Sequence, residues 1–462
     1  MSADKPNEHL IDLERIVKGV NTFANMSFPQ IRERYEKHDE DKLCDLARAD
    51  GKGMVLCTRD AMEAVFSMAR RHVATLDNGD DFLISDVAEG IRRNFLRVAA
   101  KEPTDEAVII CTLAEATAFA ESSHAERTFH FPCVLVSSRV PEEFEMGPVS
   151  FRTLPRFMES RNAAFGEYVA EGTNQQFAGL WVKQFESYGE AFGWVASVST
   201  SASAPSVGQA RAEQATTTAI NIIRLFMGAG HARDMRLAHS MSSSPANYHI
   251  VVEGNGKLDI WTTRKMPGAL VEDNWYTTIR SLASAYWSDG SRLLLEVVRG
   301  RLSEMASRVV DSLSWYGEAT FESASGKQIA KFDAALERLT VTGSVRTPLF
   351  CARVALLTFD GTTKNFESCF WKAFEVHTSR SQVVHGILSP SSPVFLQSVR
   401  LAHEVTRTAI FRGLELHRHL DRSGTVSTLK DLDSHFNSQL SPHARLYVRL
   451  KDELRERQKQ NR

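Results

Sequence analysis

The strongest constraint on this chain is a run of apolar residues at helical spacing through its last third. From about residue 292 they recur every three or four positions, which predicts one face of a long helix. Further stripes of the same kind predict helices over 326–339, 347–357 and 366–384, and another from Pro393 onward. Several helices joined by short connections are typical of an antiparallel bundle. The residues of the first stripe are Leu295, Val298, Leu302, Met305, Val309 and Leu313.

The first part of the chain also carries mostly helical patterns. Leu13, Ile16 and Val20 recur at helical spacing, and 61–72 and 87–98 predict two further helices. The short apolar run 106–111 (EAVIIC) favours a strand. The run Asp-Asn-Gly-Asp-Asp at 77–81 predicts a turn.

The sequence pattern changes near residue 127, from mostly helical to rich in β-forming residues. The run FHFPCVLVS at 129–137 is rich in β-forming residues, and Pro132 indicates an edge position or a bulge. A second strand is predicted at 194–200, followed by a helix over 207–227. Two β-rich runs, at 248–252 and 258–262, flank Gly-Asn-Gly, which predicts a hairpin.

These patterns together predict an α+β protein in which a mixed α/β region precedes an all-α bundle. We divide the chain into a mostly helical region 1–126, a mixed α/β region 127–285, a helical bundle 286–440 and a charged C-terminal helix 441–462. The bundle holds the candidate site described below. The mixed region shows no catalytic constellation, so a sensing or regulatory role is expected there.

Composition limits where the protein works and what it binds. The net charge is −2, so a nucleic-acid site has to be a local basic patch. None of the six cysteines forms a C-x-x-C pair, and their spacing indicates neither disulfides nor zinc. The polar N-terminus does not resemble a signal peptide, and no apolar run is long enough to span a bilayer. We therefore expect a cytoplasmic protein without metal, cofactor or membrane contact.

One group of residues in the predicted bundle has side chains suited to catalysis. Arg380, Ser381 and His385 lie in the string RSQVVHG, which ends at a glycine. Histidine exchanges protons near neutral pH, and the guanidinium of arginine donates bidentate hydrogen bonds to phosphate oxygens. Such a pair can cleave RNA through its own 2′-hydroxyl without a metal ion. The alternative is that both cations only complement the dipole at the end of a helix.

The spacing of this pair raises a geometric problem. Five residues along an α-helix leave Arg380 and His385 about 140° apart around its axis. The two side chains converge only if the helix ends or distorts between them, or if they meet across the seam of a dimer. Gly386 predicts that the helix ends there.

The surroundings of the string resemble the Apea-like HEPN family of prokaryotic proteins. The resemblance covers about 290–425 and rests on RSQVVHG, on the preceding helix FESCFWKAFEVHTS, and on SWYGEA and KFDAALERL further upstream. It implies a dimerising helical bundle and an Arg-x4-6-His ribonuclease motif, with Arg380 and His385 as catalytic residues. It also implies a role in phage defence or toxin-like growth arrest, with a phage or defence-system trigger acting on the N-terminal region.

The residue after the arginine departs from the family pattern. Catalytic members often carry Asn, Asp or His there, whereas this chain has Ser381. Ser381 is expected to bind the scissile phosphate, or else to make a local backbone bond. The departure keeps an alternative open, in which an inactive HEPN protein binds RNA, a nucleotide or a partner protein.

Other residues are expected to have structural roles. Arg412 and His417 repeat the spacing of the pair by chance, and His417 is expected on an exposed helix face. Tyr316 is expected in the core rather than stacked on a base. Glu337 is expected to be solvated.

Overall fold

The helices predicted from apolar periodicity are the main feature of the computed structural model of this protein. The chain is α+β, as predicted, with a small antiparallel sheet and a helical C-terminal region. It divides into two compact units, Met1–Arg127 with Thr200–Arg211, and Thr128–Ser199 with Ala212–Arg462. The structure describes residues 8–24, 26–37, 44–47, 54–98, 106–171, 175–190, 192–228, 232–238, 246–252, 258–264, 271–343, 346–423 and 428–460.

The first unit is built on a helical core. Leu13 and Ile16 from the first helix meet Val65, Met68 and the apolar faces of the two following helices. Its elements are α1 (Glu8–Ala24), α2 (Phe28–Lys37), β1 (Cys44–Ala47), β2 (Met54–Cys57), α3 (Arg59–Val73), α4 (Ile84–Val98) and α5 (Glu106–Glu121). The predicted turn at 77–81 contains a short 3-10 helix at Gly79–Asp81.

The strand predicted at 106–111 is wrong, because these residues form the first turns of α5. The run continues with Ala-rich sequence to Glu121, and Ile109, Leu113 and Ala116 are buried at helical spacing. A six-residue apolar run fits a strand or a helix equally well. The choice between the two depends on the length of the whole element, which includes the flanking residues.

The second unit contains a five-stranded sheet in the order β4-β5-β6-β3-β7. Pro132 lies just before the only residues of β3 that pair with β7, Cys133 and Val134, so its missing N–H breaks no bond in that ladder. The strands are β3 (Ala125–Val134), β4 (Glu143–Met146), β5 (Val149–Thr153), β6 (Trp194–Ser203) and β7 (Arg236–Leu237).

Three helices and a hairpin accompany this sheet in sequence. The helices are α6 (Leu154–Glu171), α7 (Gln175–Glu190) and α8 (Pro205–Met227). The predicted hairpin is confirmed as antiparallel β8 (Ala246–Val252) and β9 (Leu258–Arg264). Its Gly-Asn-Gly turn lies outside the described residues.

The helical bundle follows and shares one continuous apolar core with the sheet and α8. Among its helices, α12 packs against α11, α13, α14 and α15, and α15 packs against these helices and α10. The helices are α9 (Trp275–Leu282), α10 (Ser284–Arg299), α11 (Glu304–Phe321), α12 (Ser325–Thr340), α13 (Thr347–Thr358), α14 (Thr363–Val384), α15 (Phe395–Ser423), α16 (Leu429–Leu440) and α17 (Ala444–Gln460).

The single long helix predicted to begin near residue 292 is wrong, because the structure divides it into α10 and α11. Gly300 ends α10 in the left-handed conformation, with a φ of 68°. Ser303 then caps α11 by accepting a hydrogen bond from the N–H of Ala306. Val298, Met305, Val309 and Leu313 of the predicted stripe are buried in one core on both sides of this break, whereas Leu295 is exposed. Within the described residues, no helix combines the length and apolarity needed to cross a membrane.

The break between α10 and α11 gives a stability prediction. Gly300→Ala should destabilise the second unit by about 1 kcal/mol, because an L side chain is strained at a positive φ. Gly166→Ala, in the interior of α6 with open space around it, should instead stabilise by roughly 0.5–1 kcal/mol through helix propensity. Thermal unfolding of the two variants measures both. If the melting temperatures of both variants changed by the same amount in the same direction, the assigned conformation of Gly300 would be contradicted.

Candidate functional site

The candidate site lies at the C-terminal end of α14, and the predicted helix end is confirmed there. Arg380 and Ser381 occupy the last turns, and His385 is the residue that caps the helix. Gly386 follows with a φ of 68°. The N–H of Gly386 donates to Val383 at 3.1 Å and that of Ile387 donates to Gln382 at 2.9 Å, closing the helix in a Schellman motif.

Arg380 is anchored by a buried carboxylate on α12. Its Nε lies 3.7 Å from Oδ2 of Asp333, whose side chain is 0% exposed. The Nδ1 atom of His377, one turn earlier on α14, lies 3.2 Å from the same oxygen. Residues three apart share a helix face, so one carboxylate fixes both side chains and with them the rotation of α14 against α12.

His385 faces solvent and makes no side-chain hydrogen bond within the described part of the chain. Its backbone N–H still donates to the carbonyl of Ser381 at 3.0 Å, so the helical winding persists up to His385. Arg380 and His385 therefore remain about 140° apart around the axis. A single copy of the chain does not bring the two side chains together.

Ser381 keeps its hydroxyl available. Its carbonyl accepts the bond from His385, but its Oγ has no hydrogen-bond partner among the residues that the structure describes. The alternative of a local side-chain-to-backbone bond is thus not adopted. The side chain is half-buried and follows Arg380 directly.

Glu337 is not the solvated residue expected from its sequence position. It lies on α12 one turn after Asp333 and is half-buried. Burial is the main cause that raises the pKa of its carboxyl, and the negative charge of Asp333 adds to the shift. Arg380 and His377 act in the opposite direction. Two carboxylates, the guanidinium of Arg380 and the imidazole of His377 thus form one network between α12 and α14.

The same network contains the residue types that bind a divalent cation. One ligand atom from each of Asp333, Glu337 and His377 lies within 4.8 Å of the others. Oδ1 of Asp333 is also buried without a hydrogen-bond partner. Arg380 already supplies positive charge to this carboxylate, so an ion entering here would have to compete with the guanidinium.

His377 and Asp333 were missed from the sequence. Both residues occur in the strings that carry the family resemblance, His377 in FESCFWKAFEVHTS and Asp333 in KFDAALERL, but neither is predicted there as a site residue. A signal for Asp333 exists, because it shares the buried face of α12 with Ile329, Leu336 and Thr340. A carboxylate on an apolar helix face needs a cationic or hydrogen-bonding partner.

The other candidates have structural roles. Arg412 is ion-paired with Glu415 at 2.5 Å. His417 is 0% exposed and hydrogen-bonded to Glu296 at 2.8 Å, so the prediction that it lies on an exposed face is wrong. It belongs to the inner face of α15. Tyr316 is buried as expected, and its hydroxyl is 2.9 Å from Nε2 of His403.

The loop after His385 is held against the start of α12. The N–H of Gly326 donates to the carbonyl of Pro390 at 2.8 Å. A Cβ at Gly326 would lie 2.8 Å from Cα of Pro390 and 2.8 Å from Cγ2 of Val383, so only glycine permits this approach. The loop and its neighbourhood nevertheless carry side chains that are more than half exposed, namely Val384, Ile387, Val394 and Leu396.

Comparisons of this chain with protein-family models, with curated proteins and with solved structures gave no significant match in any of the three. The resemblance to the HEPN family therefore rests on the residues of the sequence.

The raised pKa of Glu337 gives a pH-dependent prediction. The folded protein holds a proton on this carboxyl more tightly than the unfolded chain does. Stability contributed by the protonated form is therefore lost as the pH rises from the ordinary value of 4.5 through the raised pKa. Glu337→Gln should thus gain melting temperature relative to the natural protein as the pH increases from below 4.5 to neutral.

The exposed Glu375 on α14 provides the control. Glu375→Gln should show the same difference from the natural protein at both pH values. A Glu337→Gln variant whose relative melting temperature falls with rising pH would contradict the burial assigned to this carboxyl.

Proposed function

We propose that this protein is a metal-independent endoribonuclease of the HEPN type whose site is the end of α14. The supporting observation is that Arg380 projects from a solvent-facing helix end while a fully buried carboxylate, Asp333, fixes its position. A guanidinium held in this way is preorganised to bind a phosphate. His385 lies in the next turn and is exposed, so it can reach a large polyanion.

The reaction follows from the groups present. A histidine takes the proton from the ribose 2′-hydroxyl, and the oxygen attacks the adjacent phosphorus. The bond to the 5′-oxygen breaks, that oxygen receives a proton, and the products are a 2′,3′-cyclic phosphate and a 5′-hydroxyl end. Arg380 stabilises the charge that builds on the phosphate oxygens. Ser381 donates its unengaged hydroxyl to the same group.

Two proton transfers require two groups, and His377 does not supply the second one at the same phosphate. It lies eight residues before His385, which corresponds to about 12 Å along the helix. Its Nδ1 is also engaged by Asp333. His377 is therefore assigned to positioning the carboxylate and α14 rather than to exchanging protons with RNA.

A homodimer solves both the missing group and the divergent geometry. A two-fold axis beside His385 would bring a second His385 and a second Arg380 to the same phosphate, so that one histidine takes a proton and the other gives one. It would also cover Val384 and Ile387, which single copies leave exposed to water. Burying apolar surface of this kind is the common driving force of such interfaces.

Within a cell, this activity is proposed to act in phage defence or toxin-like growth arrest. A nuclease that cuts host RNA has to be restrained, and the regions before residue 286 are the place proposed for its trigger. The inactive alternative is favoured by one observation, the divergence of Arg380 and His385 within a single chain. A protein that binds RNA without cutting it would fit that alternative.

The first functional prediction concerns the two motif residues. His385→Ala and Arg380→Ala should each lower the rate of RNA cleavage at least about 100-fold, the usual effect of losing an acid–base group or an oxyanion donor. His385→Ala should leave the melting temperature nearly unchanged because its side chain makes no hydrogen bond within the described residues. Cleavage is followed on total RNA with a chelator present.

The matched control is His419→Ala, which removes another exposed histidine of the same unit. It should keep full activity. A folded His385→Ala protein that cleaves at the natural rate would overturn the assignment, and RNA binding without cleavage by the natural protein would establish the inactive alternative.

The second functional prediction concerns the dimer. Arg380→Ala and His385→Ala chains, co-expressed with different tags, should regain part of the natural activity, less than about half, which neither variant has alone. Random pairing makes half of the dimers mixed, and only these keep both an Arg380 and a His385 beside the shared phosphate. Ile387→Asp should dissociate the dimer and abolish cleavage, whereas Leu295→Asp, exposed on α10, should do neither. A protein that is monomeric by light scattering at concentrations where it cleaves RNA would rule this model out.

A further inference from the structure

The carboxylate network between α12 and α14 has the ligand set of a transition-metal site. Asp333 and Glu337 lie four residues apart on α12, so their side chains share one face of that helix. His377 meets them from α14. One ligand atom from each of the three residues lies within 4.8 Å of the other two. Two helices that are distant in sequence thus bring one imidazole and two carboxylates together.

The carboxylates of this group are incompletely satisfied by the chain itself. Asp333 is 0% exposed, and its Oδ1 is buried without a hydrogen-bond partner. Nε of Arg380 lies 3.7 Å from Oδ2, which is longer than a hydrogen bond. The side chain of Glu337 forms no hydrogen bond within the described part of the chain. A buried carboxylate oxygen without a donor costs free energy, and a bound cation would remove that cost.

The separation of two candidate ligand atoms fits a tetrahedral metal ion. Nδ1 of His377 lies 3.2 Å from Oδ2 of Asp333. Metal bonds of about 2.0–2.1 Å at tetrahedral angles place two ligand atoms about 3.3 Å apart. His377 and Asp333 can therefore bind one ion with little movement. Glu337 has to bring its carboxylate about 1.5 Å closer at most, because no pair of the ligand atoms lies more than 4.8 Å apart.

The second ring nitrogen of His377 is placed to support such a role. Nε2 lies 3.5 Å from Oγ1 of Thr347, and the ring packs against Phe350 with the centroids 5.0 Å apart. When Nε2 carries the proton and donates it to the threonine, Nδ1 presents its lone pair to the carboxylates. Metal-binding histidines usually donate their other nitrogen in this way, which fixes the orientation of the ring.

We propose that Asp333, Glu337 and His377 bind a zinc ion, with a water molecule as the fourth ligand. The imidazole favours zinc over magnesium and calcium, which prefer oxygen ligands. Three protein ligands and one water are typical of zinc sites that are open to solvent. An ion can enter from solvent because the side chain of His377 is 20% exposed and Glu337 is only half-buried.

The ion and Arg380 compete for the same carboxylate. Both the guanidinium and the imidazole approach Oδ2 of Asp333, and like charges within about 4–6 Å of each other disfavour one another. Zinc binding therefore weakens the hold of Asp333 on Arg380. An ion at this place would lower the rate of RNA cleavage as an inhibitor. This regulatory step rests on the proposed function, whereas zinc binding itself does not.

The test measures zinc binding to the full-length protein by calorimetry and thermal shift after dialysis against a chelator, with zinc chloride and magnesium chloride as probes. We expect zinc to bind and to raise the melting temperature with increasing concentration, and magnesium not to bind. Glu337→Gln and His377→Gln should each weaken zinc binding at least about tenfold. Arg380→Gln should instead tighten it about tenfold, because a competing positive charge is removed.

The matched control is Glu375→Gln, which changes an exposed carboxylate on α14 and should stay within about twofold of the natural protein. Asp333 is left unchanged because its removal would take the common partner from Arg380 and His377. Glu337→Gln is the variant expected to fold without loss, since its carboxylate has no hydrogen bond to lose within the described residues.

The proposal is overturned if zinc does not bind up to millimolar concentration, if Glu337→Gln or His377→Gln binds zinc as well as the natural protein, or if Arg380→Gln weakens the binding. Equal binding of magnesium would overturn the assignment to zinc. Cleavage that continues unchanged when zinc is bound would overturn the regulatory step alone. The binding readouts do not require RNA, so this proposal and the nuclease can fail separately.

Discussion

A carboxylate without access to water has to be compensated, and Asp333 is such a group at the centre of the bundle. It lies on α12, which packs against α11, α13, α14 and α15, and its side chain is 0% exposed. An uncompensated buried charge costs several kcal/mol, so the fold has to supply partners for it at this point. Arg380 supplies positive charge and His377 a ring nitrogen, both from α14. The rotation of α14, and hence the direction of Arg380, follows from the need to satisfy Asp333.

The end of α14 is fixed by a second, steric constraint. Gly326 at the start of α12 allows Pro390 to approach to hydrogen-bonding distance, and this contact holds the loop that follows His385. Helix α14 is thus held by the ion pair of Arg380 with Asp333 in one turn, and the loop at its end is held by the close contact of Gly326 with Pro390. An exposed histidine at such a terminus has a rigid backbone beneath it, which is the arrangement a site needs if a second protomer is to meet it in register.

The sequence predicts the parts of this arrangement that depend on periodicity and on helix ends. The helices over 326–339, 347–357 and 366–384 and the termination at Gly386 follow from apolar spacing and from the conformational freedom of glycine. The division at Gly300 was missed because the apolar stripe runs on unchanged through both helices. The run at 106–111 was missed because six apolar residues carry no period of their own.

The residues of the candidate site also differ in whether the sequence predicts them. Arg380, Ser381 and His385 are neighbours in sequence, so a local motif finds them. Asp333 lies 44 residues before His377, and their contact depends on how two helices are rotated against each other, which no local pattern specifies. The half-burial of Glu337 was missed for that reason too, since α12 is covered on several sides by helices that are distant in sequence.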